Sequence, residues 1–299
     1  MKNGIKTVVG ENDLGLTIRG FLRREKGVST RLIRKVITGK GKLYHNGKEA
    51  RFVDKVIPGD SIELVFPEEE SEFIPQDIPI EVLYEDEDII AINKQPGFVV
   101  HPTKGHSDET IANGLMKYML ERNENFKIRF ISRLDMNTSG ILLVGKNAHA
   151  QTSFTKQNSM NEVYKGYFAI VCGKLESDGT IDLPIALESE GAVKRAVRDD
   201  GQASVTEYKA EKIIEIEGLE YTLVRLRLLT GRTHQIRVHL SHIGHPILGD
   251  HLYGSESHLI ARQALHAEVI QFRHPKTGVE MRIEAPIPED IASIIEMRQ

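Results

Sequence analysis

Apolar and polar positions alternate along this chain with two distinct periods, and the change of period divides it. Near the N-terminus Leu14, Leu16, Ile18, Phe21 and Leu22 predict a first helix of mixed register. A second helix is sharper, with Ser29 in the N-cap position and Gly39 just past its end. Leu32, Ile33, Val36 and Ile37 form its apolar stripe, while Arg31, Arg34 and Lys35 share the opposite side. Residues 42–45 and 48–52 then flank Asn46-Gly47, whose ready left-handed conformations suit a two-residue hairpin turn. Pro58-Gly59-Asp60 turns the chain into a last short strand at 61–66.

The periodicity stops at Pro67. Glu68, Glu69, Glu70 and Glu72 lie between Pro67 and Pro75, which predicts an extended acidic linker over 67–79 with no core of its own. From Ile80 a larger unit follows. Residues 89–94 read as a strand running into the turn Gln95-Pro96-Gly97, and 109–121 have helical spacing through Ile111, Leu115, Tyr118 and Met119. Residues 163–171 and 221–229 are apolar on both faces, as strands of a buried sheet are. Strands and helices do not alternate strictly, so the fold class expected is α+β, the large unit carrying a mixed, mainly antiparallel sheet with flanking helices. The domains expected are 1–66, a linker at 67–79, and 80–299.

Composition narrows the function classes. The chain has 299 residues, 40% hydrophobic and 27% charged, which suits a large globular domain plus a small one. It contains no run of eighteen apolar residues and no apolar segment behind Met1, so neither a membrane span nor a signal peptide is expected, and the expected compartment is the cytoplasm. The single cysteine, Cys172, excludes an intramolecular disulfide and a cysteine-based metal site, and is expected to be a small buried hydrophobe. A net charge of −4 conceals an asymmetry: residues 1–60 hold 14 Lys and Arg against 6 Asp and Glu, leaving 25 against 37 for the rest. A local balance of +8 beside one of −12 points to a nucleic-acid partner at the N-terminal end.

Two segments carry candidate chemistry. In Arg133-Leu134-Asp135, followed by Asn137-Thr138-Ser139-Gly140 and a greasy run, a carboxylate sits on a loop backed by a hydrophobic scaffold. On residue types alone, Asp135 suits a reactive group and a turn- or helix-capping aspartate equally well. His234, His239, His242, His245 and His251 invite a metal reading, but no HExxH pattern accompanies them, and surface or RNA-facing histidines are expected instead. A sugar hydrolase would need a second carboxylate paired with Asp135, and no motif supplies one.

Four ordered segments together resemble the RluA-type pseudouridine synthases over residues 80–299. They are Asn93-Lys94-Gln95-Pro96-Gly97 with His101-Pro102, then Arg133-Leu134-Asp135, then Lys165-Gly166-Tyr167-Phe168-Ala169 with Gly173 closing it, and lastly Leu229-Thr230-Gly231-Arg232-Thr233-His234-Gln235-Ile236-Arg237-Val238-His239 followed by Gly244-His245-Pro246-Ile247-Leu248-Gly249-Asp250. Ser132 departs from the pattern, which commonly has His before the Arg-Leu-Asp. The helix–helix–hairpin–strand order of 12–66 resembles an S4 RNA-binding domain, with Arg31, Arg34 and Lys35 placed to track phosphates.

The resemblance implies an RNA pseudouridine synthase, an isomerase that moves the C1′ bond of a uridine from N1 to C5. Nothing is oxidised and no group is lost, so no cofactor and no metal are expected. It implies Asp135 as the catalytic carboxylate, attacking C1′ or abstracting a proton at C2′. Arg232 would hold that carboxylate ionised; Thr233 as N-cap, with Ile236, Leu240 and Ile243 on one helical face and Gly244 after its end, would fix it at the start of a helix. Tyr167 would stack on the uracil and take or relay the C5 proton. Arg133 would fill the stack vacated by the extruded base, and Ile236 would wall the uracil pocket. The two-domain layout resembles the RluD-like branch, which makes large-subunit ribosomal RNA the favoured substrate and transfer RNA the alternative. A monomer is expected. A non-catalytic RNA-binding assembly factor is the rival function, against which stand the intact Asp135, Tyr167 and Arg232.

Overall fold

The computed structural model describes residues 4–297 apart from Lys104 and His106, with the backbone alone at Lys40. The first three residues of the expected N-terminal domain therefore lie outside the described residues.

The N-terminal unit has a hydrophobic core of its own, drawn from residues 5–66 and including Ile18, Phe21, Leu22, Ile33, Ile62 and Leu64. Its elements are β1 (Gly4–Val8), α1 (Ile18–Lys26), α2 (Thr30–Lys35), β2 (Lys42–His45), β3 (Lys48–Glu49) and β4 (Ser61–Val65). The sheet runs in the order β1-β4-β2-β3. β1 was not legible from the pattern, because its antiparallel partner is β4, almost the whole unit away.

The first helix starts later than its apolar residues suggest. Thr17 caps it by accepting from the Gly20 amide at 3.1 Å, which leaves Leu14 outside and exposed. Ser29 caps α2 as expected, accepting from the Leu32 amide at 3.2 Å. After Lys35 the chain widens into a π-type turn over Val36–Lys40, which ends at Gly39 with φ 89°. The extra residue in that turn rotates Ile37 off the apolar stripe, and Ile37 is exposed. Asn46 (φ 49°) and Gly47 (φ 78°) both adopt the left-handed conformation the hairpin requires.

Residues 66–80 have no regular structure, as an extended linker should, but they are strapped down. Glu69 pairs with Lys35 on one side and Arg129 on the other. Ser71 Oγ accepts from the Ile128 amide at 2.7 Å, and Asn113 donates to the Ile74 carbonyl at 2.8 Å. Phe73 packs against the neighbouring core.

The large unit comprises β5 (Glu81–Glu85), β6 (Ile89–Lys94), α3 (Ile111–Glu121), β7 (Arg129–Phe130), β8 (Ser139–Gly145), α4 (Ala148–Ser159), β9 (Tyr164–Cys172), β10 (Gly179–Asp182), β11 (Ile185–Leu187), β12 (Arg195–Val197), β13 (Val205–Ile216), β14 (Leu219–Leu228), α5 (Gln235–His242), β15 (Leu265–Arg273), β16 (Glu280–Glu284) and α6 (Glu289–Glu296). Ten strands make one sheet in the order β10-β13-β14-β9-β15-β8-β6-β5, with β16 added on β15 and β7 on β8. The class is α+β. Every pairing in this sheet is antiparallel except β15 with β8, so the mixed, mainly antiparallel sheet is the observed one.

That parallel seam matters for the site. His266 lies opposite Ser139 and Ala267 opposite Gly140, immediately after the loop that carries Asp135. Gly140 has φ 106°, and a Cβ there would meet the Ala267 carbonyl oxygen at 2.2 Å, so the crossing requires glycine. Cys172, at the end of β9, is half-buried rather than fully buried and packs against the core of the large unit. No helix among the described residues is long and apolar enough to cross a membrane.

Candidate active site

A cavity of about 820 Å³ opens beside the seam and brings the loop after β7, the strand β9 and the start of α5 together. Asp135 stands on the loop, with its side chain 25% exposed to the cavity. The loop is closed by the Thr138 amide donating to the Asp135 carbonyl at 3.1 Å. Each of the next two carbonyls is gripped from outside. That of Met136 accepts from the Gly97 amide at 3.0 Å and from Lys94 Nζ at 2.8 Å. That of Asn137 accepts from Arg262 Nη1 at 3.1 Å, and Gln263 adds a bond to Thr138 Oγ1 at 3.2 Å. Arg262 is itself held by both oxygens of Asp290 on α6, at 2.7 and 2.9 Å. The Asp135 loop is therefore preorganised by fixed partners from other parts of the chain.

Lys94 is fully buried at the end of β6. Burial pushes its pKa down to about 7, the Asp135 carboxylate opposes the fall, and Arg262 adds to it. Its second bond goes to the Gln95 carbonyl at 2.9 Å.

The cationic partner of Asp135 is Arg237, not Arg232. Arg237 Nη1 donates to Asp135 Oδ2 at 3.2 Å. Its remaining fork is taken by Asp250, through Nε at 2.7 Å and Nη2 at 2.8 Å, and Asp250 has no exposure to solvent. A guanidinium clamped on one edge presents its free nitrogen in a fixed direction. Burial lowers the Arg237 pKa, but the hydrogen bonds and charges of Asp250 and Asp135 outweigh it and raise the pKa overall. Arg232 turns elsewhere and donates Nε to the Ala203 carbonyl at 3.2 Å. The reason lies in where the helix begins. The N-cap of α5 is His234, in a left-handed conformation at φ 57°, so Thr233 does not cap it and Arg232 lies outside it. The rest of that helix is as the pattern implied. Ile236 and Leu240 enter the core with Ile243 against it, and Gly244 (φ 86°) follows the last turn. Arg237 was detectable in principle, as an arginine flanked by Ile236 and Val238 on a buried helix. Asp250, folded back onto it, was not.

Tyr167 reaches the same cavity from β9, between Leu226 of β14 and Ala267 of β15. Its hydroxyl has no protein hydrogen-bond partner among the described residues, and burial together with the Asp135 charge raises its pKa far above the usual phenol value. The phenol therefore holds its proton at neutral pH. Ile236 lines the cavity and belongs to the core as well. Arg133 is exposed at the mouth and makes no ion pair with Asp135. Ser132, in place of histidine, accepts weakly from the Leu143 amide at 3.4 Å. Of the three α2 cations, Lys35 is paired with Glu69, Arg34 faces solvent, and Arg31 lines a second cavity.

The histidines are structural wherever the fold buries them. His239 uses one ring nitrogen on Thr206 Oγ1 (2.9 Å) and the other on the Leu183 carbonyl (3.0 Å), while His245 Nδ1 bonds to the Cys172 carbonyl at 3.1 Å. Among the described residues, Asp86, Asp88 and His274 are grouped closely enough to hold a cation. Their atoms are already engaged. His274 Nδ1 accepts from the Thr277 amide at 3.2 Å, so Nε2 carries the proton donated to Asp86 at 2.7 Å, and Asp88 accepts from Asn147 at 2.8 Å.

Comparison with known proteins places the chain among relatives over most of its length. Residues 88–242 match the model of a family described as RNA pseudouridylate synthase. The chain is 38% identical to ribosomal large subunit pseudouridine synthase D of Escherichia coli (strain K12), over 86% of this chain and 81% of that one. It is 37% identical to the uncharacterized RNA pseudouridine synthase YjbO of Bacillus subtilis (strain 168), over 91% of this chain and 96% of that one. Among solved structures it is similar to human RNA pseudouridylate synthase domain containing 1, with a TM-score of 0.58 and 27% identity, covering 70% of this chain and 83% of that one.

Proposed function

The chain belongs to the RNA pseudouridylate synthase family and is an isomerase acting on RNA; from that premise we propose that Asp135 performs the chemistry and that large-subunit ribosomal RNA is the substrate. The observation that carries the catalytic reading is the chain Asp250–Arg237–Asp135, in which a buried carboxylate aims a guanidinium at a cavity-facing one. A carboxylate that must act on C1′, or take a proton from C2′, has to stay ionised while a nucleotide displaces its water, and Arg237 serves that need. Tyr167, holding its proton, suits a relay at C5 better than service as a base. No bond is oxidised or reduced, and the residues of the cavity suffice.

The substrate reading rests on the relatives whose names specify the ribosomal large subunit, several at 37–39% identity over most of their length. The N-terminal unit, with its own core and its excess of cations, serves in this reading as an S4-like RNA-binding domain joined by a strapped linker to the catalytic domain. The reaction then takes place in the cytoplasm, where ribosomal RNA is made.

The test incubates unmodified large-subunit ribosomal RNA and transfer RNA with wild type and with Asp135→Asn, and maps pseudouridine by carbodiimide-adduct primer extension. New stops on ribosomal RNA with wild type alone are expected, with the variant binding RNA within a few-fold of wild type. Stops produced equally by the variant would remove Asp135 from the reaction, and stops on transfer RNA alone would replace the substrate.

A further inference from the structure

A second cavity, of about 470 Å³, lies at the junction of the two units and is bounded by α2, the linker and the segment 127–133. Arg31, Lys35, Lys127, Arg129 and Arg133 all line it, and Glu69 is the single acid among its lining residues. Glu69 is committed to Lys35 and Arg129. Arg31, Lys127 and Arg133 have no ion-pair partner among the described residues, and all three are exposed. The charges are close: Arg31 helps depress the pKa of Arg129, after burial, and Lys127 helps depress that of Glu69. Three unpaired cations in one concavity form an anion site that no described acid fills.

The junction cavity adjoins the active-site cavity. His101, Phe130, Arg133 and Gln151 line both, and the His101 and Phe130 rings lie 6.4 Å apart at the join. A path therefore runs from Asp135, past an aromatic step, into a cationic groove. That is the pattern of a single-strand track: a ring for a base to stack on, then positive charge for its phosphates.

We propose that the junction groove binds the single-stranded RNA adjoining the target uridine, with Arg31, Lys127 and Arg133 on its phosphates and Phe130 under the neighbouring base. This rests on the reading that a uridine enters the Asp135 cavity, and it gives the N-terminal unit a specific task. Half of the track belongs to α2, and Glu69 locks that half to the catalytic unit. The groove recognises backbone, so it works on any single strand and its occupant does not depend on which RNA is the natural substrate.

The experiment measures anisotropy of a fluorescein-labelled 20-nucleotide oligouridylate against the full chain over a series of KCl concentrations. It compares wild type, Arg31→Glu/Lys127→Glu, and a charge-matched control, Arg19→Glu/Arg23→Glu, on the exposed side of α1. The groove variant is expected to bind at least tenfold more weakly at 100 mM KCl. Its slope of log affinity against log salt should be smaller by about 1.4, since each lost single-strand phosphate contact removes about 0.7. The control is expected to stay within threefold, and matching melting curves confirm that all three are folded. Binding by the groove variant within threefold of wild type overturns the proposal. So does an equal loss in the control, which would mean diffuse attraction, or a wild type that does not bind the oligomer. Absence of pseudouridine on ribosomal transcripts strikes only the substrate reading, because the oligouridylate result does not depend on it.

Discussion

Replacing Lys94 by methionine sets two large terms against each other, and the outcome separates stability from catalysis. Methionine keeps the length of the side chain and removes its charge and donors. The lost bonds, to the carbonyls of Met136 and Gln95, are charge-assisted and contribute roughly 1.5–3 kcal/mol each. Against them stands the cost of burying an ammonium: the fall of its pKa from 10.5 to about 7 corresponds to about 5 kcal/mol. The terms nearly cancel, so the variant is expected to unfold within about 2 kcal/mol of wild type at pH 7. Catalysis has no such compensation. Met136 keeps only the Gly97 amide, the Asp135 loop loosens, and a tenth- to a hundredth-fold single-turnover rate is expected, since misplacement by an ångström costs about that much.

The pH dependence gives this reasoning a second edge. Lys94 is depressed in the fold, so between pH 7 and 10.5 the unfolded chain carries the proton and the folded chain does not. Raising the pH through that window therefore stabilises the fold, and the penalty of the buried charge is fully present only below pH 7. Wild type should gain roughly 3 kcal/mol on the variant between pH 6.5 and 9.5. The chain has no tryptophan, so urea unfolding followed by circular dichroism is the suitable assay. A stability difference independent of pH would refute the buried-cation argument, and a single-turnover rate within twofold of wild type would refute the positioning role.

Three further substitutions test the site. Arg237→Met leaves Asp250 buried with its two backbone partners, Leu252 and Tyr253, and no cation; a loss of about 3–5 kcal/mol in urea unfolding is expected, with turnover down at least a hundredfold. Arg232→Ala, which loses one bond to the Ala203 carbonyl, should keep turnover within threefold, and the reverse ranking would return the role to Arg232. Tyr167→Phe removes a hydroxyl that has no protein partner among the described residues, so melting should shift little while single-turnover rate falls by about 10²–10⁴. A rate unchanged by that substitution would leave Tyr167 as a stacking surface only.

What the sequence made legible is what short stretches of chain decide by themselves. Asn46-Gly47 turns because its own backbone allows it, Ser29 caps because its hydroxyl reaches an amide three residues on, and Gly244 ends α5 from the position just past its cap. The site residues Asp135, Tyr167 and Ile236 came from ordered motifs, and the fold does gather them around one cavity. The errors all have long-range causes. Two arginines five apart in one motif are equivalent on paper, and the choice between them is made by Asp250 returning beneath α5 and by a helix that starts one residue late, at His234. Lys94 reads as the charged end of a strand, yet it is sealed under a loop more than forty residues further on, whose Met136 carbonyl it holds. The linker's acids have no counter-charge nearby in sequence, while in space Glu69 pairs with a cation from each unit. In all three cases a charged residue sits where only its distant counter-charge or acceptor makes burial tolerable, and local pattern carries no record of such partners. Lys94 and Arg237, with Gly97, Arg262 and Gln263, hold Asp135 and its loop from positions distant in sequence, which is why the motif names the carboxylate more readily than it names what holds it.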